Sequence, residues 1–348
     1  SFTAKFLNQG NALVNVYTDG TVQVSTGGTE MGQGLNTKIR QLVADEFGLP
    51  PEQVVLMPTS TEKNCNTSPT AASAGTDLNG AAAVQACREI RARLAGWAAG
   101  RLAGDGLAES PEHVGFAGGW VYDTRRPERR IAFGDLCTTA RRERVDLGAR
   151  AFYATPIAGF DAVAGRGEPF FYYTQGAAAA EVRIDRFTGD LTVPRVDLLI
   201  DIGRSINPGV DRGQVIGGFV QGMGWVTGEC LVYDERGRLL SDSPTTYKIP
   251  AASDVPADFR CEFFPNDDNV ENVARSKAVG EPPLMHAICV WSAVKHALGC
   301  VSPAAARRLC LPATNEEILR ALEASAGPAD DGGGWGHSAE LRSWRAAR

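Results

Sequence analysis

One carboxylate of this chain stands in a setting suited to proton transfer. Glu281 lies in the run 277–283, Lys-Ala-Val-Gly-Glu-Pro-Pro, directly before an apolar stretch over residues 284–294. Gly280 allows close approach of a ligand, and the two prolines stiffen the loop. An acid held in an apolar wall can act as a general base, because desolvation raises its affinity for a proton. The alternative is that Glu281 caps a helix that begins at the prolines.

A glycine-rich loop is the second candidate for chemistry. Residues 27–35, Gly-Gly-Thr-Glu-Met-Gly-Gln-Gly-Leu, precede a helical pattern of apolar residues at Ile39, Leu42, Val43 and Phe47. Backbone N–H groups at such a helix N-terminus predict a site for an anion, most often a phosphate. The loop matches neither a Walker loop nor the G-x-G-x-x-G fingerprint of dinucleotide folds. A tight turn that needs positive φ is the alternative.

A polar segment of small residues precedes a predicted helix over about residues 78–102. Residues 66–77 read Asn-Thr-Ser-Pro-Thr-Ala-Ala-Ser-Ala-Gly-Thr-Asp. Small side chains let a bulky ligand approach, while hydroxyls and N-cap amides bind its polar edge. Helix capping accounts for one of these hydroxyls and less easily for the whole segment, which we therefore interpret as ligand-binding.

Periodicity and turn residues predict the elements that position these segments. Residues 12–16 and 21–25 alternate around Asp19-Gly20 as a hairpin does, and a second hairpin is predicted around residues 185–190. Residues 214–229 form a predicted helix that is rich in glycine. Glycines destabilise a helix, so a close packing partner or a ligand is the expected reason for them.

Composition excludes several classes of function. The chain has 348 residues, a net charge of -6 and a pI near 5.4, which argue for about two domains and against nucleic acid or an anionic membrane as the main partner. No run of 18 apolar residues occurs in the sequence, and the first residues lack a signal-peptide pattern. Eight cysteines are scattered without a C-x-x-C pair, which predicts a reducing cytoplasm and no zinc or iron–sulfur site on this chain.

The two ends of the chain and one charged run carry further expectations. Strand-like sequence follows Ser1 almost at once without an initiator methionine, as in the middle of a longer polypeptide, although processing or trimming would look the same. The run 141–146 is predicted to be a solvated face, and the residues beyond Glu323 a mobile tail.

These segments, in this order, closely resemble the molybdenum hydroxylase (aldehyde oxidase/xanthine dehydrogenase) superfamily. Within it, the chain is most similar to the C-terminal half of the molybdenum-binding subunit of xanthine dehydrogenases, from Ser1 to about Leu322. Thr29 is typical of the dehydrogenases, since aldehyde oxidases tend to carry an aliphatic residue there. The segments that carry the resemblance are residues 2–3, 6–9, 27–35, 66–77, 213–215, 219–222, 246–250 and 277–283.

The resemblance implies roles for particular residues. Glu281 would be the catalytic base, taking a proton from a molybdenum-bound hydroxyl as that oxygen attacks an electron-poor carbon, with water as the source of oxygen. Phe2, Thr3 and Ala72 would contact the substrate. The cofactor would be a pyranopterin dithiolene (molybdopterin) that holds molybdenum in its sulfido form without a protein ligand. Its surroundings would be Gly32, Gln33, Thr70, Ala71, Ser73, Thr76, Gln214 and Gly280.

The resemblance also implies the architecture. We expect an α+β fold of two packed α/β subdomains of the molybdopterin-binding type, whose cofactor loops face a shared cleft. Residues 1–115 would form the first subdomain, truncated at its N-terminus relative to the family. Residues 116–322 would form the second and carry the catalytic glutamate, and residues 323–348 the mobile tail.

Partners and activity follow from the same resemblance. FAD and two [2Fe–2S] clusters are expected on a partner chain or on other domains, with NAD as electron acceptor and a dimer of such units. The upstream half of the family's subunit, which carries a Phe-Gly-Gly loop, a purine-recognising arginine and a second phenylalanine, is absent from this sequence. The isolated chain is therefore expected to show no hydroxylase activity. Gly75 replaces a hydroxyl residue found in relatives, which would remove one cofactor hydrogen bond.

Three functions stay open on the sequence alone. The first is a cytoplasmic enzyme of purine catabolism that oxidises hypoxanthine to xanthine and then to urate. The second is a molybdenum hydroxylase for an aldehyde or another N-heterocycle. The third is a non-catalytic remnant or docking module that keeps the fold without the cofactor.

Overall fold

The computed structural model describes residues 8–64, 67–103, 110–156, 159–161 and 163–324. The predictions for Phe2, Thr3 and the tail beyond Ala324 lie outside the described residues. Within these ranges helices alternate with several small sheets, and the predicted α+β class is confirmed.

Contacts divide the chain into two compact units, each built from separate stretches of sequence. The first unit comprises Ser1–Gln175, Asp201–Gln214 and Phe263–Glu281; the second comprises Gly176–Ile200, Val215–Glu262 and Pro282–Arg348. This division does not follow the boundary drawn after residue 115. The reason is strand pairing, since residues 148–154 pair with residues 9–15. Glu281 is the last residue of the first unit.

The first unit contains nine strands and three main helices among its described residues. The strands are β1 Gln9–Val16, β2 Val22–Thr26, β3 Val54–Leu56, β4 Val114–Ala117, β5 Trp120–Asp123, β6 Arg126–Ala132, β7 Gly148–Ala154, β8 Phe160–Asp161 and β9 Arg166–Gly167. The helices are α1 Leu35–Phe47, α2 Ala81–Ala103 and α3 Phe133–Arg142.

A four-stranded sheet in the order β3-β2-β1-β7 forms the base of the first unit. β1 and β2 pair as the predicted antiparallel hairpin, with Val14 opposite Val24, and β2 pairs with β3 in parallel. Buried residues of β1 and β2 belong to one hydrophobic cluster with Ile39, Val43 and Phe47, which form the buried face of α1 as the helical pattern predicts. The glycine-rich loop connects β2, which ends at Thr26, with α1, which begins at Leu35, so both of its ends are fixed by elements of this core.

α2 confirms the predicted helix and adds a feature at its start. Five residues, Thr76–Gly80, form a π-helical turn immediately before Ala81. Such wide turns often occur at functional sites, because they displace side chains from the regular helical positions. The first two residues of the turn, Thr76 and Asp77, are also the last two of the polar segment that we interpret as ligand-binding.

As far as the structure describes it, the second unit contains three strands in the order β10-β11-β12. They are β10 Gly176–Ile184, β11 Leu191–Ile200 and β12 Asp258–Phe263, and β10 and β11 form the hairpin predicted around residues 185–190. The helices are α4 Pro208–Thr227, whose residues as far as Gln214 belong to the first unit, α5 Pro282–His286, α6 Ile288–Val301, α7 Pro303–Arg308 and α8 Asn315–Ala324.

Three smaller predictions are confirmed. The glycines of α4 do allow close packing, since a Cβ on Gly222 would lie 2.2 Å from the carbonyl oxygen of Leu284 and one on Gly224 2.4 Å from Pro250. A helix does begin at Pro282. The run 141–146 is mostly exposed.

Residues 282–301, which include α5 and α6, are apolar, with a mean hydropathy of 1.4. Within the described part of the chain, this is the one helical stretch that could cross a membrane by length and composition. The core helix of a soluble protein meets the same criterion, and α6 buries Val290, Val294 and Leu298 within the second unit.

Candidate active site

A cavity of about 320 Å³ opens in the first unit where the three predicted segments meet. It is lined by the glycine-rich loop with the start of α1, by residues 70–77 and by residues 276–281. The lining residues are Met31, Gln33, Leu35, Lys38, Thr70, Ala71, Ala72, Ser73, Gly75, Thr76, Asp77, Ile206, Gln214, Ser276, Lys277, Ala278, Val279, Gly280 and Glu281.

Most of the predicted site residues lie together on this cavity. They are Gln33, Thr70, Ala71, Ala72, Ser73, Thr76, Gln214, Gly280 and Glu281. Gly32 belongs to the same loop but not to the lining; its φ is +97°, and no atom lies within 4 Å of the position that a Cβ would take. Phe2 and Thr3 lie outside the described residues.

Ser73 holds Glu281 by two contacts. Its hydroxyl accepts a hydrogen bond from the Glu281 backbone N–H at 2.8 Å and donates to Glu281 Oε2 at 3.3 Å. Ala72 and Ser73 have φ of 54° and 55°, in the left-handed region that residues with a side chain rarely adopt. Such backbone strain is typical of functional loops. Here it places a hydroxyl against the candidate base.

The predicted burial of Glu281 is wrong. Ala278 and Val279, three and two residues earlier, are buried, whereas Glu281 itself is exposed. The apolar residues of the run therefore anchor the segment to the core instead of covering the carboxylate. The contacts that define the position of Glu281 are its two hydrogen bonds with Ser73.

The prediction that the start of α1 binds a phosphate is wrong about the anion. The carboxylate of Glu30 accepts hydrogen bonds from the backbone N–H groups of Gly32 at 2.8 Å, Gly34 at 3.0 Å and Asn36 at 2.9 Å. The loop does gather N–H groups around a negative charge, but that charge is the chain's own. The positive φ of Gly32 and Gly34 confirms the alternative, a tight turn.

Glu30 gives a stability prediction. Partial burial raises its pKa, but the hydrogen bonds from Asn36, Gly34 and Gly32 outweigh this and hold the pKa below the ordinary 4.5. A carboxylate whose pKa is lower in the folded chain stabilises it above pH 4.5, and that stability is lost as the pH falls through the folded pKa. We expect Glu30→Gln to lower the free energy of unfolding at neutral pH by about 1 kcal/mol, as loss of an N-cap does.

Chemical denaturation of the wild type and the variant at neutral and acidic pH measures this effect. Glu52→Gln is the matched control, because Glu52 is an exposed glutamate of the same unit. Equal stabilities of the two variants at neutral pH would contradict the capping role of Glu30.

Side chains fix the glycine-rich loop internally and to the neighbouring segment. Gln33 donates through Nε2 to the carbonyl oxygen of Thr29 at 2.8 Å and accepts from the N–H of Met31 at 2.5 Å. The N–H of Thr29 donates to Thr70 Oγ1 at 2.9 Å. At Gly27 any side chain would collide with Thr67, 2.2 Å away. The loop and the polar segment therefore form one connected wall of the cavity.

A buried hydrogen-bond network behind the cavity was not predicted from the sequence. The hydroxyl of Tyr172 donates to Asp77 Oδ2 at 2.5 Å, and Asn272 Nδ2 donates to Asp77 Oδ1 at 2.8 Å. The Tyr172 oxygen also accepts from the N–H of Ala278 at 2.9 Å. Burial raises the pKa of Asp77, the bonds from Tyr172 and Asn272 lower it, and the result is a pKa of about 6.

The raised pKa of Asp77 makes stability depend on pH. The folded chain holds this proton more tightly than the unfolded chain, so the stabilisation is complete below pH 3.8 and is lost as the pH rises through about 6. Asp77→Asn removes the titration. As the pH rises from about 4 to about 7, the wild type should therefore lose up to about 3 kcal/mol of unfolding free energy relative to the variant.

Denaturation curves of both proteins at several pH values measure that shift. Asp267→Asn, at an exposed aspartate of the same unit, is the control and should show no such change. A difference between wild type and Asp77→Asn that stays constant with pH would contradict the expectation.

Both lysines of the cavity wall are paired with buried aspartates. Lys277 Nζ lies 2.5 Å from Asp201 Oδ2, and Lys38 pairs with Asp211. Partial burial raises the pKa of Asp201, but hydrogen bonds from Lys277, Gly203 and Asn266 outweigh this and lower it. The positive charges of the wall are thus compensated, and hydroxyl, amide and backbone groups remain for recognition of a ligand.

Comparison with known proteins decides the family. The sequence profile of the molybdopterin cofactor-binding domain matches residues 1–256 of this chain. The chain belongs to this family. It is 43% identical over 305 residues to a xanthine dehydrogenase of Oryza sativa subsp. japonica, and 44% identical over 301 residues to one of Dictyostelium discoideum. Each alignment covers 86% of this chain and 20% of the relative, so the chain spans about a fifth of the length of these proteins.

Solved structures agree with this molybdopterin-binding fold. Quinoline 2-oxidoreductase of Pseudomonas putida 86 superposes with a TM-score of 0.77 at 25% identity, covering 91% of this chain and 38% of that chain. Aldehyde oxidoreductase of Desulfovibrio gigas superposes with a TM-score of 0.69 at 23% identity, covering 92% of this chain and 31% of that chain, and this likeness concerns the fold alone. The predicted resemblance to the molybdenum-binding region of xanthine dehydrogenases is confirmed.

The cavity suits the cofactor for which this molybdopterin-binding family is named. Gly280 is the clearest observation, because a Cβ there would lie 2.8 Å from Ser73 Oγ and 3.9 Å from Gln214 Oε1. Any larger residue would fill the space between these two polar groups. Hydroxyl and amide side chains suit the heteroatoms of a pterin, while Ala71 leaves room for its ring system.

Proposed function

We propose that this chain contributes the cofactor cavity and the general base of a molybdenum hydroxylase that oxidises purines. The reactions would be hypoxanthine to xanthine and xanthine to urate, with water as the source of oxygen. The observation that carries the proposal is the position of Glu281, in contact with Ser73 at the rim of a cavity in a molybdopterin-binding domain. The identity of 43% with a plant xanthine dehydrogenase supports the choice of substrate.

The residues of the cavity, together with Gly32 of the adjoining loop, divide into two groups by their role toward the cofactor. Polar side chains would hold its heteroatoms, and small residues would leave space for its rings. When bound, molybdopterin supplies a molybdenum centre that accepts two electrons from the substrate. The polar group is Gln33, Thr70, Ser73, Thr76 and Gln214; the small group is Gly32, Ala71 and Gly280, while Ala72, with Phe2 and Thr3, would face the substrate.

Glu281 would move the proton. Its carboxylate is exposed at the cavity, and Ser73 donates to Oε2, so we expect Oε1 to accept the proton. The second bond, from the Glu281 N–H to the same hydroxyl, fixes the backbone beneath the carboxylate. A general base must lie within hydrogen-bond reach of the proton it removes, and these two contacts restrict the positions that it can take.

Electrons would leave through two [2Fe–2S] clusters and FAD to NAD, carried by partner chains or other domains of a dimeric cytoplasmic enzyme. The upstream half of the molybdenum-binding subunit would complete the substrate pocket. The relatives are several times longer than this chain, which is consistent with such additional parts.

A second candidate is a hydroxylase for another N-heterocycle or an aldehyde. The structural likeness to quinoline 2-oxidoreductase, with a TM-score of 0.77, favours it. Comparing kcat/KM of the complete enzyme for xanthine, quinoline and an aromatic aldehyde separates the two. The proposal predicts a clear preference for xanthine, and a preference for quinoline or the aldehyde would replace it with the second candidate.

A further inference from the structure

The backbone that leads to Glu281 is fixed from behind by buried groups. The N–H of Lys277 donates to the carbonyl oxygen of Ile202 at 2.7 Å, and the N–H of Ala278 donates to the Tyr172 hydroxyl at 2.9 Å. Ala278 is 3% exposed and Tyr172 is 7% exposed. Glu281 follows three residues after Ala278, so the position of this amide sets where the carboxylate can reach.

The same hydroxyl also holds the opposite wall of the cavity. Tyr172 donates to Asp77 Oδ2 at 2.5 Å, and Asp77 lies in the π-helical turn in which the polar segment ends. Ser73, which contacts Glu281, is four residues before Asp77. One buried oxygen therefore connects the segment that carries the base with the segment that carries its hydrogen-bond partner.

Asn272 forms a second connection between the same walls. Its Nδ2 donates to Asp77 Oδ1 and to the carbonyl oxygen of Ser276, both at 2.8 Å. Asp77, which is 2% exposed, thus accepts hydrogen bonds from Tyr172 and Asn272. Each of these two residues also forms a hydrogen bond with the backbone of residues 276–278. Buried hydrogen bonds of this kind restrict geometry more than the exposed contact between Ser73 and Glu281 can, because water does not compete for their partners.

We propose that Tyr172 is a positioning residue for Glu281, holding the base at a fixed distance from Ser73 through its bonds to Ala278 and Asp77. The inference rests on the proposed function of Glu281 as general base. If Tyr172 positions Glu281, its hydroxyl affects the rate of the chemical step. A tyrosine that only stabilised the core would not have this effect.

Tyr172→Phe in the complete enzyme tests the proposal. The change removes the hydroxyl, so the buried N–H of Ala278 loses this acceptor and Asp77 loses this donor. We expect kcat to fall about tenfold or more, with KM and the molybdenum and pterin content unchanged. Tyr122→Phe, at a half-buried tyrosine of β5 in the same unit, is the matched control and should leave kcat within twofold of the wild type.

A double-mutant cycle separates positioning from stability. If Tyr172 acts through Glu281, then adding Tyr172→Phe to Glu281→Gln lowers kcat no further. Additive losses, or a Tyr172→Phe enzyme with the kcat of the wild type, would overturn the proposal. If Tyr172→Phe does not fold, Asp77→Asn, which keeps the shape and replaces an acceptor by a donor, is measured against the same two criteria.

Hydrogen exchange provides a readout that does not depend on activity. In the complete enzyme, the Ala278 amide should exchange at least tenfold faster in Tyr172→Phe than in the wild type, with no change in Tyr122→Phe. Unchanged exchange would overturn the inference. Failure of the proposed function is recognised separately, because it appears as a wild-type enzyme that does not oxidise xanthine, and the variants are then compared on the substrate that it does oxidise.

Discussion

We expect Glu281→Gln in the complete enzyme to lower turnover by roughly a hundredfold or more while the cofactor stays bound. Glutamine keeps the size of the side chain and retains an oxygen that can accept from Ser73 Oγ. The bond from the residue 281 N–H to Ser73 does not involve the side chain and should persist. The variant therefore removes the proton acceptor without removing the contacts that position it.

Steady-state kinetics with xanthine, together with metal and pterin analysis, measures this effect. Glu271→Gln is the matched control, because Glu271 is an exposed glutamate ten residues earlier in the same unit. It should keep turnover close to that of the wild type. Near-normal turnover of Glu281→Gln would show that another group accepts the proton.

Gly203→Ala should be among the most destabilising single changes in the first unit, by about 3 kcal/mol or more. Gly203 has a φ of +61°, and a Cβ there would lie 2.4 Å from the carbonyl oxygen of Arg275. That oxygen belongs to backbone, which cannot turn aside as a flexible side chain can. Gly203 also forms an isolated antiparallel β-bridge with Ser276. Any shift that relieves the collision therefore displaces the segment leading to Glu281.

Gly213→Ala is the matched control for this prediction. Gly213 lies in α4, with no atom within 4 Å of the Cβ position, and alanine should stabilise the helix there by about 0.5–1 kcal/mol. Chemical denaturation of both variants gives the comparison. Similar stabilities of the two variants would mean that the backbone around Gly203 adapts easily, and the close approach to Arg275 would not constrain the site.

The sequence predicts elements well where local patterns determine them. Alternation around Asp19-Gly20 corresponds to the β1–β2 hairpin, and the spacing of Ile39, Val43 and Phe47 corresponds to the buried face of α1. The segments singled out for chemistry meet at one cavity, because glycine, proline and small polar residues mark places where the backbone must approach a ligand or another segment.

Contacts between distant residues could not be predicted in this way. Tyr172 is 95 residues from Asp77, and Asn272 is 195 residues from it, so no periodicity relates them. The exposure of Glu281 and the capture of the loop amides by Glu30 depend likewise on tertiary placement. A glycine-rich loop predicts that N–H groups gather, but its sequence does not specify which carboxylate or ligand they bind.

Molybdenum and pterin content of the purified complete enzyme tests the central claim most directly. Metal analysis together with fluorescence of the released pterin measures both in one preparation. The proposed cofactor cavity predicts about one molybdenum and one pterin for each copy of this chain. A folded protein that contains neither would contradict the claim, and the cavity would then belong to a module that keeps the fold without the chemistry.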